Sequence, residues 1–340
     1  MTRHTFYPAA VRGLLALALG LFLTTAAHAQ LFRTYIAPDG VDGNPCTLAA
    51  PCRLLPAALA TVIDGGEIWM LGSANYNTAP VNIAKSVTIL AVPGALGSVV
   101  AIGGNAINIA TANVKVSLRN LVIVPFIGGG GTNGIVMTAG TSLTVENCLV
   151  ANLPNRGIVV DTTASVLVTD STIRGNGSGG LAFLNGARAT VTRTSVTNNA
   201  SLAVYVHGNM TGTTTADIAD STVSSNGYGV FAQASSAGAI VKVSVHDSRT
   251  VGNGGWGIAA QSFADSSATV SASNNIVSNN QIGIQAESSG ARIWASGNTI
   301  SGNSIGINNI SAALFESAGD NTVRNNTTQT AGAITTIPEM

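Results

Sequence analysis

The sequence predicts an all-β parallel solenoid, and three observations predict it. The first is a motif that returns at near-constant spacing: Ile or Val, two small polar residues, Asn, two residues, Gly, then Ile or Val. It reads "VSSNGYGV" from Val223, "VSNNQIGI" from Val277 and "ISGNSIGI" from Ile300. The second is a period-two alternation of apolar and polar residues beside each copy, as in "LTVEN", the signature of half-buried strands. The third is composition. Only 9% of the 340 residues are charged and 5% are aromatic. Helix formers such as Glu, Lys and Gln are scarce, while Gly, Ser, Thr, Asn and β-branched residues suit many short strands joined by tight turns.

Aligned on the residue before the Asn, the motif gives Ile173/Asn176, Val196/Asn199, Val223/Asn226, Val251/Asn253, Val277/Asn280, Ile300/Asn303 and Val323/Asn326, with Val150/Asn152 a weaker earlier member. Roughly 23 or 27 residues separate successive Asn positions, a solenoid period. The four-residue variation falls in segments such as "GNMTGTTTAD" and "SFADSSAT", read here as loops. Period two sends Leu143, Val145, Val166, Val168, Val191, Ile218, Val243, Val245, Val270 and Ile293 inward from one strand of each repeat. From a later strand it sends Ile158, Leu181, Val204, Val230, Ile258, Ile284 and Ile307 inward. The same parity adds a second inward column of Leu202, Tyr228, Trp256, Ile282 and Ile305. Stacked repeats would place like residues about 4.8 Å apart in parallel strands and feed one apolar core. This is a single-stranded right-handed parallel β-helix. The Leu-x-x-Leu-x-Leu signature of leucine-rich horseshoes, the longer repeats of propellers and the Gly-Gly-x-Gly-x-Asp calcium repeats are all absent.

The recurring Asn has two readings. An Asn carries a donor and an acceptor and tolerates left-handed backbone, so at a bend it can pair with unsatisfied backbone groups and with the next Asn along the axis. The alternative is a row of amides facing a ligand, and the buried ladder is favoured. A second polar column, Asn120, Asn147, Asp170, Asp220, Asn274 and Asp320, with Asp247 shifted by an inserted residue, reads as bend residues.

The elements follow in order. Residues 1–29 form a secretory signal peptide: Arg3 and Arg12 precede an apolar run from Leu14 to Leu23, which ends in Ala27-His28-Ala29. Residues 30–80 form an N-terminal cap with a short helix and a first strand. Leu55, Ala58, Leu59 and Val62 have helical spacing, Asp64-Gly65-Gly66 is the stop, and "EIWML" is the strand. The β-helix occupies 81–326, and 327–340 is a C-terminal cap or tail, too short for an outer-membrane barrel. Cys46 and Cys52, close together in an exported chain, pair as a disulfide, and no neighbouring His or Cys completes a metal site. Cys148 is left over as a small buried filler.

The opening "YIAPDGVDGNPCTLAAPCRLLPAALATVIDGGEIWML" resembles that of exported bacterial right-handed parallel β-helix repeat proteins, and the rungs resemble those of the pectin-lyase-like superfamily. The resemblance covers almost the whole mature chain and implies the fold. It implies no single activity, because that superfamily holds lyases, hydrolases, epimerases and adhesins. Pectin-type hydrolases carry Asn-Thr-Asp, Asp-Asp, Gly-His-Gly and Arg-Ile-Lys motifs. The first two are missing here, and the others are approached only by Val206-His207-Gly208-Asn209 and Arg292-Ile293-Trp294. The clustered acidic calcium ligands of pectate lyases have no counterpart, so no catalytic residue, metal or cofactor carries over.

Any chemistry rests with the outward positions. On the first strand Glu146 and Asp217 are the only carboxylates, three rungs and roughly 14 Å apart, whereas glycosidase pairs need about 5–9.5 Å. Asp217 and His246 sit on adjacent rungs with a two-residue offset, about 8 Å apart and beyond hydrogen-bond reach. The Thr columns do not persist across rungs, which sets aside ice binding. On the later strand Tyr205, His207, Phe231, Gln233 and Gln261 gather aromatic rings and amides, a combination suited to sugars. These five are the candidate carbohydrate-binding residues. With zero formal charge and no basic cluster, nucleic acid is excluded. The residues favour a secreted, monomeric, non-catalytic protein, extracellular or periplasmic, that binds polysaccharide or a cell-surface glycan or serves as an adhesion module, with no membrane span after signal cleavage. The alternative is a polysaccharide lyase or glycoside hydrolase with atypical active-site residues.

Overall fold

The computed structural model describes residues 31–263 and 265–337, so the predicted signal peptide lies outside the described residues. The chain winds through three parallel sheets, called A, B and C here, of 13, 11 and 11 strands. One turn runs from Ser165–Thr169 in sheet A through Thr172–Arg174 in sheet B to Gly179–Leu184 in sheet C, then returns to sheet A at Arg188–Thr192. Every strand pairs with its counterpart one turn away, in register. The alternation predicted this: Leu143, Val166, Val191, Ile218, Val243, Val270 and Ile293 in sheet A, and Ile158, Leu181, Val204, Val230, Ile258, Ile284 and Ile307 in sheet C, are all buried in one continuous core.

The first turn begins at Leu31–Ile36, which pairs with Val62–Met70 in sheet A. Between them lies helix α1 (Leu55–Thr61), with Pro in its first turn, where a missing N–H costs nothing. Leu55, Ala58 and Leu59 are buried against Leu31–Ile36, Val62–Met70 and Val81–Ile83, so the helix covers the end of the core. Its stop differs from the prediction. The helix ends at Thr61, and Asp64-Gly65-Gly66 lies inside the following strand, where an irregular pairing with the first strand and the positive φ of Gly65 absorb it. Cys46 and Cys52 form the expected disulfide, with Cα atoms 4.6 Å apart. At the other end the tail supplies two more strands, Thr328–Ala331 and Thr335–Ile337.

In the later turns both tight bends use the same device, a residue of positive φ followed by an inward polar residue. At the bend into sheet C the positive-φ column runs Asn152, Gly175, Asn198, Ser225, Gly252, Asn279, Gly302 and Asn325. The inward column is Asn176, Asn199, Asn226, Asn253, Asn280, Asn303 and Asn326, all buried. Each side-chain amide donates to the next Asn Oδ1 at 2.8–3.1 Å. Asn226 also donates to the Val196 carbonyl, and its Oδ1 accepts from both the backbone N–H and the amide of Asn199. All four of its hydrogen-bonding positions are used. Asn152 stays outside the ladder as a positive-φ residue, and Leu153 takes the inward place beside Asn176. The member of the apolar column beside Asn253 is Thr250 rather than Val251. Asp247 is therefore in step with Asp220 and Asn274, with no inserted residue.

The bend from sheet A to sheet B carries a second ladder that the pattern reading missed: Cys148, Ser171, Thr194, Ser221, Ser248, Asn275, Asn298 and Asn321. Each backbone N–H donates to the next side-chain oxygen, from Cys148 to Ser171 Oγ through Asn298 to Asn321 Oδ1. Cys148 is buried in the core, as expected, and is a ladder member as well. Its sulfur accepts from the Leu121 N–H, and burial pushes its thiol up to about 12.

Two further expectations are corrected. The four extra residues of the longer turns are absorbed mostly by strands, since sheet C gains Leu202–Gly208, Tyr228–Ala234 and Trp256–Ser262, and sheet A gains Gly212–Ala219, Ala239–His246 and Ser267–Ser273. The column of Leu202, Tyr228, Trp256, Ile282 and Ile305 does not face the core; Tyr228 is 38% exposed. The reason is the small inward residue that follows, a glycine after the last four and the buried Ala203 after Leu202. A Cβ on Gly257 would lie 2.8 Å from Val277 Cγ1 and 2.9 Å from Asn280 Nδ2, so Gly257 itself faces inward. Two consecutive inward residues at the bend, Gly257 and Ile258, reverse the parity of what precedes them and turn Trp256 outward.

Candidate functional site

The outer face of sheet C brings the five predicted residues together. Tyr205 and His207 project from Leu202–Gly208, Phe231 and Gln233 from Tyr228–Ala234, and Gln261 from Trp256–Ser262. Register stacks Tyr205 on Phe231 and aligns His207, Gln233 and Gln261 in one column. The rings form a continuous stack. Centroids lie 5.0 Å apart for His207–Tyr205, 5.8 Å for Tyr205–Phe231, 5.0 Å for Phe231–Trp256 and 4.6 Å for Trp256–Tyr228. Stacking rings at rung spacing covers their faces with one another. Phe231, in the middle, is 7% exposed and offers no face to a ligand, contrary to its place in the predicted set. The open ring is Tyr228 at the end of the stack, which sequence parity had assigned to the core.

The amide column is hydrogen-bonded along the axis. Tyr205 Oη donates to Gln233 Oε1 at 2.5 Å, and Gln233 Nε2 donates to Gln261 Oε1 at 2.8 Å. Asn308 and Gln285 continue the face at 2.9 Å, and Gln285 donates to Glu287 at 3.1 Å. These bonds leave capacity. Gln233 retains one N–H and one lone pair, and Gln261 retains both N–H groups and a lone pair. Burial pushes the Tyr205 phenol up to about 12 and lowers His207, whose Nε2 lies 2.8 Å from Ser235 Oγ. Both side chains are therefore uncharged at neutral pH, and the stretch from Tyr205 to Gln261 is a neutral assembly of rings and amides, with the carboxylate of Glu287 next in the Gln261 column. The alternation that revealed Tyr205 also revealed this column; Tyr228 and Trp256 were missed because period two was carried across the bend glycine.

The outer face of sheet A and its bend into sheet B hold several ionisable pairs. Glu146 pairs with Arg119 at 2.8 Å, and Asp170 pairs with Arg193 at 2.7 Å, where the guanidinium holds its carboxyl at about 2. Asp217 and His246 do meet, against the sequence estimate: Nε2 of His246 lies 3.4 Å from Asp217 Oδ1, and Nδ1 lies 2.8 Å from Asp247 Oδ2. Side-chain reach bridges the two-residue offset between the adjacent rungs. The hydrogen bond to Asp247, aided by Asp217, raises the pKa of His246. A groove of about 480 Å³ runs along this face past Thr144, Leu167, Arg188 and Thr190 to Asp217. No group of three or more His, Cys, Asp or Glu suited to a metal ion occurs among the described residues.

The profile of the right-handed β-helix region family matches residues 105–265 and 156–328. No curated protein matches the sequence. Among solved structures the chain is similar to pectate lyase Pel9A, at 15% identity and a TM-score of 0.58, covering 89% of this chain and 81% of that one. It is also similar to the A-module of the mannuronan C-5 epimerase AlgE6 of Azotobacter vinelandii, at 14% identity and a TM-score of 0.54, covering 81% and 92%. The complex of XylC with xylose gives 9% identity and a TM-score of 0.59, covering 82% and 70%. At these identities the likeness is one of fold.

Proposed function

The chain belongs to the right-handed β-helix family, and from that premise we propose that it is a secreted polysaccharide-binding protein that holds its ligand on the outer face of sheet C without cleaving it. The observation that carries this reading is the spare hydrogen-bonding capacity of Gln233 and Gln261 on the same face as the open ring of Tyr228, which starts the strand that carries Gln233, roughly 16 Å away along it. Sugar hydroxyls need donors and acceptors in alternation, and an apolar ring face accepts the C–H side of a pyranose. Similarity in fold to structures titled pectate lyase, mannuronan epimerase and a xylose complex supports a carbohydrate ligand. The Cys46–Cys52 disulfide supports an oxidising compartment, in line with the export signal read over residues 1–29. Among the described residues no helix is long and apolar enough to cross a membrane. The protein acts as a monomer on this reading.

The test is binding on a glycan array followed by digestion of the bound polysaccharide. Retention without chain shortening is the expected result, and release of unsaturated oligosaccharides would overturn it. A second reading is favoured by one contact, His246 on Asp217 at the end of the sheet A groove. It makes the chain a lyase or hydrolase that uses these two groups. Loss of depolymerising activity in Asp217→Asn would support that reading.

A further inference from the structure

The outer face of sheet A carries a pattern that neither the fold nor the sheet C face explains. Lys115, Arg188, Lys242 and Arg292 fall in a single register column of sheet A, at or near the start of the shorter strands and inside the longer ones. The four positions between them in that column are Ser142, Ser165, Thr215 and Thr269. Every rung from Lys115 to Arg292 thus presents a cation or a hydroxyl, and all four cations are exposed. Among the described residues none of the four has a carboxylate within ion-pair distance, whereas Arg33, Arg119 and Arg193 are all paired. The nearer carboxylates of this face are engaged elsewhere: Asp217 with His246, Glu316 with the Trp294 indole. The column spans seven strand steps, roughly 34 Å, with its cations separated by about 14, 10 and 10 Å. Its first half lines two adjoining grooves that share Ser142 and Thr144.

From this geometry we propose that sheet A bears a second glycan track, separate from the sheet C face, for a linear polyanionic polysaccharide with its charges on alternate sugars. Four unpaired cations in a line are a field for a linear anion. The hydroxyls between them are donors suited to its neutral units. An extended pyranose chain advances by about one rung per sugar. Arg188, Lys242 and Arg292, two rungs apart, therefore match one charge per disaccharide, while Lys115, three rungs before Arg188, lies one rung out of that phase and only extends the positive field; a homopolymer charged at every sugar would leave alternate carboxylates over hydroxyls. A bilayer fits less well, because the positions between the cations are polar and the grooves are concave.

The experiment is calorimetric titration of the full chain at low and high salt. The probes are hyaluronan oligosaccharides, oligogalacturonates of equal length, neutral cello-oligosaccharides, and vesicles of phosphatidylglycerol with phosphatidylcholine. Expected results are preference for hyaluronan oligosaccharides over oligogalacturonates, weakening with salt, and a loss of affinity of at least about tenfold in Arg188→Ser/Lys242→Ser. Arg188→Lys/Lys242→Arg should retain binding, and thermal melts should show all variants folded. Tyr228→Ala/Gln261→Ala should leave this binding unchanged, which separates the inference from the sheet C reading. The inference is overturned if the wild type binds none of the glycans, if oligogalacturonates bind as tightly, if the Ser variant binds normally, or if only anionic vesicles are bound.

Discussion

Two amide columns run along the same axis, and they differ in what is left over. In the bend ladder each Asn from Asn199 to Asn303 spends both donors and both lone pairs inside the molecule, on the neighbouring Asn and on backbone groups. On the outer face of sheet C, Gln233 and Gln261 bond only to side chains of adjacent rungs and keep donors free. The chemistry is the same and so is the spacing. The difference lies in the backbone: a bend exposes carbonyls and N–H groups that an inward amide must satisfy, whereas a strand has already paired its own. An amide at a bend therefore serves the fold, and an amide on a strand's outer face remains available.

The comparison breaks first, and hardest, at the ladder. Asn226→Ala removes the acceptor of the Asn199 N–H and of one Asn199 amide N–H, takes the side-chain donor from the Val196 carbonyl, and leaves Asn253 Oδ1 with only the backbone N–H of residue 226, all in the interior. A loss of about 3 kcal/mol or more is expected, because several buried groups become unsatisfied together. Urea unfolding measures it, and an unchanged midpoint would mean that the ladder is dispensable. Next in size is Phe231→Ala. Phe231 faces outward by parity but is covered by Tyr205 and Trp256, so about 2 kcal/mol should be lost in the same assay.

How far the sequence reveals this depends on where each residue sits relative to a bend. Within a strand, period two placed Ile158, Val230 and Ile284 in the core and Tyr205, Gln233 and Gln261 outside, because alternation is enforced by the pleat. Across a bend it failed. Gly257 reversed the parity of Trp256, because a residue this small can turn inward against the ladder while its neighbour turns out, and the buried Ala203 does the same after Leu202. The second ladder escaped for another reason. Cys148, Ser171, Thr194, Ser248 and Asn275 share a position and a hydrogen bond but not a residue type, so no repeated letter marks them; the residue just after the Asn147/Asp170/Asp220/Asp247 column was the available signal. The contact between Asp217 and His246 depended on side-chain reach, which strand spacing alone does not supply.

Two smaller effects sharpen the contrast by separating binding from stability. Tyr228→Ala removes an exposed ring stacked on one neighbour, for an expected cost of about 1 kcal/mol. On the proposed function the same change lowers glycan affinity severalfold. A core position would instead cost what Phe231 costs or more. Gln261→Ala should leave the melting temperature within about 1 °C of wild type, since its bond to Gln233 is half-exposed and replaceable by water, yet weaken glycan retention measured by affinity electrophoresis. Equal binding by both variants would move the ligand away from sheet C.

The smallest expected effect lies on sheet A. His246 is held between Asp247 and Asp217, and its pKa is raised above 6.5 in the folded chain. A group raised on folding stabilises when protonated. Its contribution is complete below pH 6.5 and disappears as pH rises through the folded value. Asp220 adds to the negative field around it. Because the pair is solvent-accessible, the contribution is screened. His246→Gln should therefore change the melting temperature by less than about 2 °C at pH 6 and by less still at pH 9, and added salt should shrink even that difference. A surface ion pair behaves this way. A histidine preorganised for catalysis would instead show in a pH profile of depolymerisation that follows the same titration, so the melting curves and that profile together decide whether this contact holds two rungs together or does chemistry.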